Sequence, residues 1–285
     1  MEKNIFRRAD SAYIPTMIDT APSPTHPDFA PGSVWLAGAG PGDPSLLTLA
    51  ALHALQTADV ILHDALVAPE ILALAPARTR LIATGKRAGG AQTPQLAINA
   101  HLIALAQQNL RVLRLKGGDP FIFGRGGEEC LALAAASIPH RVIPGISAGI
   151  GAASAAMLPI THRGVARSVL FATGETGETG PQVDFARLAQ AADTLVLYMA
   201  RNSIASIAAT LIAAGRNADD PVAFLLDATT PRQHIIHTTL AQAGRCARDL
   251  TTEATLIIIG PVVALSALLT PAAPHALPLT RAQEA

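Results

Sequence analysis

The feature that most limits what this chain can fold into is an alternation. From Ser33 onward, short β-branched runs recur between longer stretches with helical spacing. A parallel strand pair needs a crossover of about a dozen residues or more, usually a helix, and that is the spacing seen. The runs at 34–37, 60–63, 80–83, 112–116 and 141–143 therefore read as strands of a parallel sheet, with helices near 45–57, 94–107 and 127–136. Thr93 as N-cap and Pro94 at the first helical position mark the start of the second of these helices. After Pro144-Gly145 an alanine-rich helical stretch runs to Ala156. The second half differs. Strands at 168–172, 195–199 and 256–259 are separated by helical patterns, but those at 222–227 and 234–239 are joined by only residues 228–233. That connection is too short for a crossover, so these two strands form an antiparallel hairpin. The fold class is α/β, with two units expected at 33–145 and 146–270. They are flanked by proline-rich tails at 1–32 and 271–285 that show no helical or strand period.

Composition bounds the partners. The 285 residues carry 21 Lys+Arg against 21 Asp+Glu, a formal net charge of +0. Reading a nucleic-acid backbone needs a surplus of basic residues on one face, so no nucleic-acid partner is expected. Half of the residues are apolar, enough for two cores, yet no apolar run approaches the roughly 18–20 residues of a membrane span. A membrane role is not expected. The start, with Phe6-Arg7-Arg8-Ala9-Asp10, leads into no apolar segment of a signal peptide. Cys130 and Cys246 are far apart and lack C-x-x-C spacing, so a reducing, cytoplasmic compartment is expected rather than a disulfide framework or a zinc site. His234 and His237 sit at odd spacing in a strand pattern, on opposite faces, and no metal is predicted.

Three glycine-rich turns stand where strands end. The first strand runs into Gly38-Ala39-Gly40-Pro41-Gly42-Asp43-Pro44-Ser45. A glycine turn in this place admits a nicotinamide oxidoreductase, but the spacing is not G-x-G-x-x-G, and Pro41 and Pro44 remove donors that would cradle a pyrophosphate. The fourth strand runs into Lys116-Gly117-Gly118-Asp119-Pro120-Phe121-Ile122-Phe123-Gly124-Arg125-Gly126-Gly127-Glu128-Glu129. Five glycines within 11 positions are costly to order, so folding alone does not account for them. The fifth strand runs into Pro144-Gly145-Ile146-Ser147-Ala148-Gly149. Three such turns on one rim predict a ligand crevice at the carboxyl ends of the strands.

Together with His63-Asp64-Ala65-Leu66-Val67, Gly85-Lys86-Arg87, Thr161–Gly164 and Tyr198-Met199, these segments resemble the tetrapyrrole methylase superfamily, and within it the enzymes that methylate uroporphyrinogen III. The similarity runs from about Ser33 to Leu269, and the run G-G-D-P-F-x-F-G-R-G-G-E-E is its most specific part. The resemblance implies a homodimer of two α/β domains with the active-site cleft between them. It implies binding of S-adenosylmethionine, release of S-adenosylhomocysteine, and methylation of uroporphyrinogen III at C2 and C7 to give precorrin-2. Carried over by position, the S-adenosylmethionine site falls on Pro41, Gly117, Gly118, Asp119, Ile122, Ser147, Ala148, Met199 and Ala228. Asp64 and Lys86 take the places of the proton acceptor and donor, with Arg125 beside them as a third catalytic candidate. Arg87, Glu128, His162 and Arg163 are expected to face the tetrapyrrole. At this length no additional dehydrogenase/ferrochelatase domain is expected.

The chemistry of the residues agrees in part. Methyl transfer from a sulfonium asks the protein mainly to align reactants and exclude water, which backbone-lined turns do well. The methylated ring must then lose a proton, so a positioned base such as Asp64 is needed. A substrate with eight carboxylates calls for arginine forks, and Arg87, Arg125, Arg163 and Arg167 lie in or beside the motifs. Only three of the 21 basic residues are lysine, and two of them, Lys86 and Lys116, fall inside the motifs, as if a compact ammonium were wanted there. The chain departs from the family at Ala65, Ala155, Leu226 and Pro261, mostly on the substrate side. A related precorrin methylase and a non-catalytic cofactor-binding protein are therefore the alternatives.

Overall fold

The computed structural model describes residues 28–84, 94–175, 182–252 and 254–269. The first half contains β1 (Val34–Gly38), α1 (Leu49–Thr57), β2 (Val60–His63), α2 (Pro69–Leu72), β3 (Arg80–Ala83), α3 (Gln95–Gln107), β4 (Val112–Lys116), α4 (Gly126–Ala135) and β5 (His140–Ile143). Its strands form one parallel sheet in the order β3-β2-β4-β1-β5. Strands β1 and β4 are buried along their whole length, as expected for central parallel strands covered on both faces. Alternation along β1 sends Trp35 and Ala37 into a core shared with Leu55 of α1, and Val34 and Leu36 into a core shared with Leu102 of α3 and Leu133 of α4.

Two helix starts differ from the sequence expectation. The stretch read as one helix at 45–57 is a short 3₁₀ turn, Pro44–Leu46, followed by α1. Asp43 caps the turn by accepting the Ser45 N–H at 2.8 Å, and Thr48 opens a second start by accepting the Ala51 N–H at 3.1 Å. Two competing caps thus break one helical pattern into two. Pro94 is the cap residue of α3 rather than its first helical residue, with φ −56° and ψ 142°. Its ring fixes φ only, so extended ψ is open to it. Thr93 lies outside the described residues.

The second half contains α5 (Ala148–Ala155), β6 (Val169–Thr173), α6 (Phe185–Leu188), β7 (Thr194–Tyr198), α7 (Ile204–Ala213), β8 (Pro221–Leu226), β9 (His234–Thr239), α8 (Ala243–Arg248), β10 (Thr255–Ile259) and α9 (Ser266–Leu269). The sheet order is β6-β7-β10-β8-β9, with only β6 and β7 parallel. The expected hairpin is present, with Leu226 opposite His234 and Pro221 opposite Thr239. One face packs Leu195, Leu197, Phe224 and Ile257 against Ile204, Ile207 and Leu211 of α7. The other packs Val196, Leu225 and Ile258 against Ala152 and Ala153 of α5. Helix α5 leaves the first sheet in sequence and buries its small-residue face on the second.

Candidate active site

The three glycine turns meet. β4, β1 and β5 are neighbours, so their carboxyl ends share one rim. Gly40 and Gly118 pair like a fragment of antiparallel ladder: Gly118 N–H donates to the Gly40 carbonyl at 2.8 Å and Gly40 N–H to the Gly118 carbonyl at 3.2 Å. Backbone packs so closely that a Cβ on Gly38 or on Gly145 would overlap the Gly118 carbonyl and the other glycine. Asp119 ties two of these turns together. Its Oδ1 accepts the Phe121 N–H at 2.8 Å and its Oδ2 accepts the Gly145 N–H at 3.0 Å. Asp119→Ala is therefore expected to weaken S-adenosylhomocysteine binding about 10- to 100-fold, since a hydrogen bond to a charged group is worth about 1.5–3 kcal/mol and two are lost while the rim loosens. Titration calorimetry checks this, and Asp119→Asn, which keeps one acceptor, should fall between.

The second sheet closes on this rim from the other side. Tyr198, at the end of β7, places its hydroxyl 2.6 Å from Ser147 Oγ and accepts the Gly149 N–H at 2.8 Å. Its ring lies 4.9 Å from Phe123 and 5.8 Å from Phe171, and burial pushes its phenol above the usual 10. Beyond β8, Thr229 Oγ1 accepts the Asp43 N–H at 3.1 Å, so the turn holding Ala228 rests on the turn holding Pro41. Pro41 also packs against α5 so tightly that Gly151 has no room for a side chain. The nearest atom to a Cβ on Gly118 would be the Ala148 nitrogen, at 3.6 Å. These contacts bring Pro41, Gly117, Gly118, Asp119, Ser147, Ala148, Met199 and Ala228 onto one set of touching loops, with Ile122 half-exposed in the loop before α4. Five non-glycine residues of these loops have left-handed backbone: Phe123, Arg125, Met199, Asp227 and Thr229. Strain of this kind, of order 1–3 kcal/mol each, persists where the surrounding structure over-determines the backbone.

Beneath the rim lies a charge network that the sequence reading only touched. Asp64 follows β2, with its N–H donating to the Leu115 carbonyl at 3.1 Å. Its carboxylate pairs with Arg114 Nη2, and Lys116 Nζ stands 3.9 Å away. One oxygen of Glu129 accepts from Arg114 Nε at 3.0 Å, from Lys116 Nζ at 3.1 Å and from Gln95 Nε2 at 3.1 Å. Arg114, Lys116 and Glu129 are 2%, 3% and 0% exposed, whereas Asp64 is 33% exposed. Burial, then the neighbouring Arg114, push the Lys116 ammonium below its usual pKa, against the attraction of Asp64 and Glu129. Arg114 and Glu129 were missed. Arg114 and Lys116 at i, i+2 share one face of a strand, and Glu129 and Leu133 at i, i+4 share one face of a helix. That periodicity was the available signal.

The residues expected to face the tetrapyrrole are placed unevenly. Arg125 and Glu128 form an exposed fork, with Nε–Oε1 at 2.8 Å and Nη2–Oε2 at 2.7 Å. This pairing holds Glu128 below the usual carboxylate range and raises Arg125. His162 and Arg163 lie on an exposed turn closed by two 2.9 Å hydrogen bonds between the His162 and Ala166 backbones. Arg167 does not belong with the others. Its N–H donates to Asp193 Oδ2 at 2.8 Å just before β6, and parallel β6 and β7 put that end a strand's length from Met199. Lys86 and Arg87 lie outside the described residues.

The family model for Tetrapyrrole (Corrin/Porphyrin) Methylases matches residues 33–244. This chain belongs to the tetrapyrrole methylase family. A curated uroporphyrinogen-III C-methyltransferase of Sinorhizobium sp is 48% identical over 247 residues, 85% of this chain and 88% of the relative. A siroheme synthase of Pseudomonas fluorescens is 48% identical over 240 residues, which is 84% of this methylase but 52% of the synthase. The chain thus spans about half the length of such synthases. Among solved structures, the Thermus thermophilus uroporphyrin-III C-methyl transferase complexed with S-adenyl homocysteine aligns with a TM-score of 0.72 at 37% identity, over 82% of this chain and 99% of that one. A cobalt precorrin-4 methyltransferase aligns with the same TM-score at 25% identity, over 81% and 96%. The mixed α/β architecture with two sheets is the two-domain fold of these methylases. Among the described residues no helix is long and apolar enough to cross a membrane.

The rim of this methylase suits an adenosyl amino acid. Around Gly117 the structure is open: a Cβ there would meet only Leu66 Cβ, at 3.8 Å. Among the described residues nothing crowds a side chain at that position. Met199 and Ile122 leave apolar surface exposed beside these turns, where the backbone offers polar groups without charge.

Proposed function

We propose that this tetrapyrrole methylase transfers methyl groups from S-adenosylmethionine to C2 and C7 of uroporphyrinogen III, giving precorrin-2, and that it works as a cytoplasmic homodimer built of units at 33–145 and 146–270. The observation that carries the activity is the 48% identity to the Sinorhizobium enzyme across 88% of its length. Pro41, Gly117, Gly118, Asp119, Ile122, Ser147, Ala148, Met199 and Ala228 hold S-adenosylmethionine in this reading. Bound there, S-adenosylmethionine supplies an electrophilic methyl group on a sulfonium. The protein contributes alignment of the pyrrole carbon with that methyl, exclusion of water by Phe123 and Met199 at the mouth, and a carboxylate to receive the ring proton. That carboxylate is Asp64, the one member of the buried charge network that reaches the surface. Lys86 takes the place of the proton donor in this reading, while Arg87, Arg125, Glu128, His162 and Arg163 face the substrate carboxylates and fix its orientation.

The test is direct. Purified protein incubated with S-adenosylmethionine and uroporphyrinogen III under anaerobic, reducing conditions is expected to yield the dimethylated product, read by absorbance and mass spectrometry. No methylated product, with S-adenosylhomocysteine binding intact, overturns the substrate assignment. Methylation of a different precorrin instead would trace to the departures at Ala65, Ala155 and Leu226.

A further inference from the structure

We propose that Glu129 is a positioning residue for methyl transfer: from a fully buried site it fixes Arg114, and through Arg114 it holds the Asp64 carboxylate at the rim. The inference rests on the reading of Asp64 as proton acceptor.

Four charges, two of each sign, are packed at the end of β4, and three of them are removed from water. Such a cluster costs desolvation that apolar side chains of like size would avoid, so stability alone does not explain it. Its organisation is directional. Glu129 Oε1 gathers three donors, Arg114 and Lys116 from strand β4 and Gln95 from helix α3. Among the described residues Arg114 alone joins both anions by hydrogen bonds, giving Nε to Glu129 and Nη2 to Asp64. Glu129 on Nε, with the Leu62 and Leu115 carbonyls 3.5 and 3.4 Å from Nη1, holds the planar guanidinium, so Nη2 defines where the Asp64 oxygen sits. Lys116, 3.1 Å from Glu129 and 3.9 Å from Asp64, is kept on the Glu129 side and off the base. The second oxygen of Glu129 is buried without a hydrogen-bond partner among the described residues, a cost that a purely structural contact would not need to carry. Without the Glu129 charge, two buried cations would converge on Asp64 and draw its carboxylate inward, away from the substrate.

The experiment compares wild type, Glu129→Gln, Asp64→Asn and the double variant, with single-turnover methylation of the substrate the wild type accepts, KM for both substrates, and S-adenosylhomocysteine affinity. Groups that orient a functional residue typically matter at the level of about 10- to 100-fold. Glu129→Gln is expected to lower the rate by that factor with cofactor affinity within about twofold of wild type, and to have no further effect in the Asp64→Asn background, because it acts through Asp64. An unchanged rate in Glu129→Gln overturns the proposal, as does an equal further loss on top of Asp64→Asn, the signature of a merely structural role. Should Glu129→Gln fail to fold, Arg114→Lys keeps the buried cation but removes the two-edged bridge, and the same pattern of rate loss and non-additivity is required of it. Failure of the parent reading looks different: a wild type without activity, or a fully active Asp64→Asn.

Discussion

Asp64→Asn is expected to lower the methylation rate about 10²- to 10⁴-fold, the range of a lost general base, while S-adenosylhomocysteine binding remains within about twofold. The asymmetry follows from the placement. Asp64 stands at the end of β2, two strands from β1 and next to β4, and its carboxylate is directed to Arg114 and Lys116 rather than to the glycine turns. The asparagine amide keeps the volume and can still accept from Arg114, so the fold should persist. Rapid-quench methylation assays and calorimetry on the same preparation decide the matter. A parallel loss of cofactor affinity would mean that Asp64 supports the loops instead of the chemistry.

Gly145→Ala is expected to be as severe for a different reason. Its new methyl would run into the Gly118 carbonyl and Gly38 at the point where three turns touch backbone to backbone. Relief requires the β4 and β5 turns to separate, which breaks the Asp119–Gly145 hydrogen bond. Overpacking at such a site costs typically about 1–3 kcal/mol of stability, and S-adenosylhomocysteine affinity should fall about 100-fold or more as the cradle opens, the equivalent of about 2.7 kcal/mol. Thermal melts give the first quantity and calorimetry the second. Gly127→Ala is the control, since a Cβ there meets no atom within 4 Å.

The strands were legible because their β-branched runs are short, bounded and repeated: 112–116 and 234–239 match the structure residue for residue. The rim was legible because glycine after a strand has few other uses, and Gly38, Gly118 and Gly145 meet as that reading requires. Helix starts were less so. At 43–48 two cap residues both act, and the first of them is also held by Thr229 from a chain segment far away in sequence. Glu129 was hidden for a related reason. In the sequence it is the second of two acids after glycines, and adjacent Glu128 forms a surface fork with Arg125. Only the docking of α4 on β4 turns one acid outward and the other into the core. Arg167 misled because proximity to a motif in sequence is not proximity to a rim: the whole length of β6 separates it from the Met199 end.

The contacts from Asp43 to Thr229 and from Ser147 to Tyr198 have a thermodynamic corollary. A ligand seated against these loops touches segments that belong to two separate hydrogen-bonded sheets, and it acts as a cross-link between them. Its contribution, about 2.7 kcal/mol at a hundred times Kd, accrues only to conformations in which both sheets are intact and apposed. Forms with one sheet melted receive none of it. Ligand binding is therefore expected to tighten the coupling between the two sheets that these contacts begin, and to slow proteolysis of the chain.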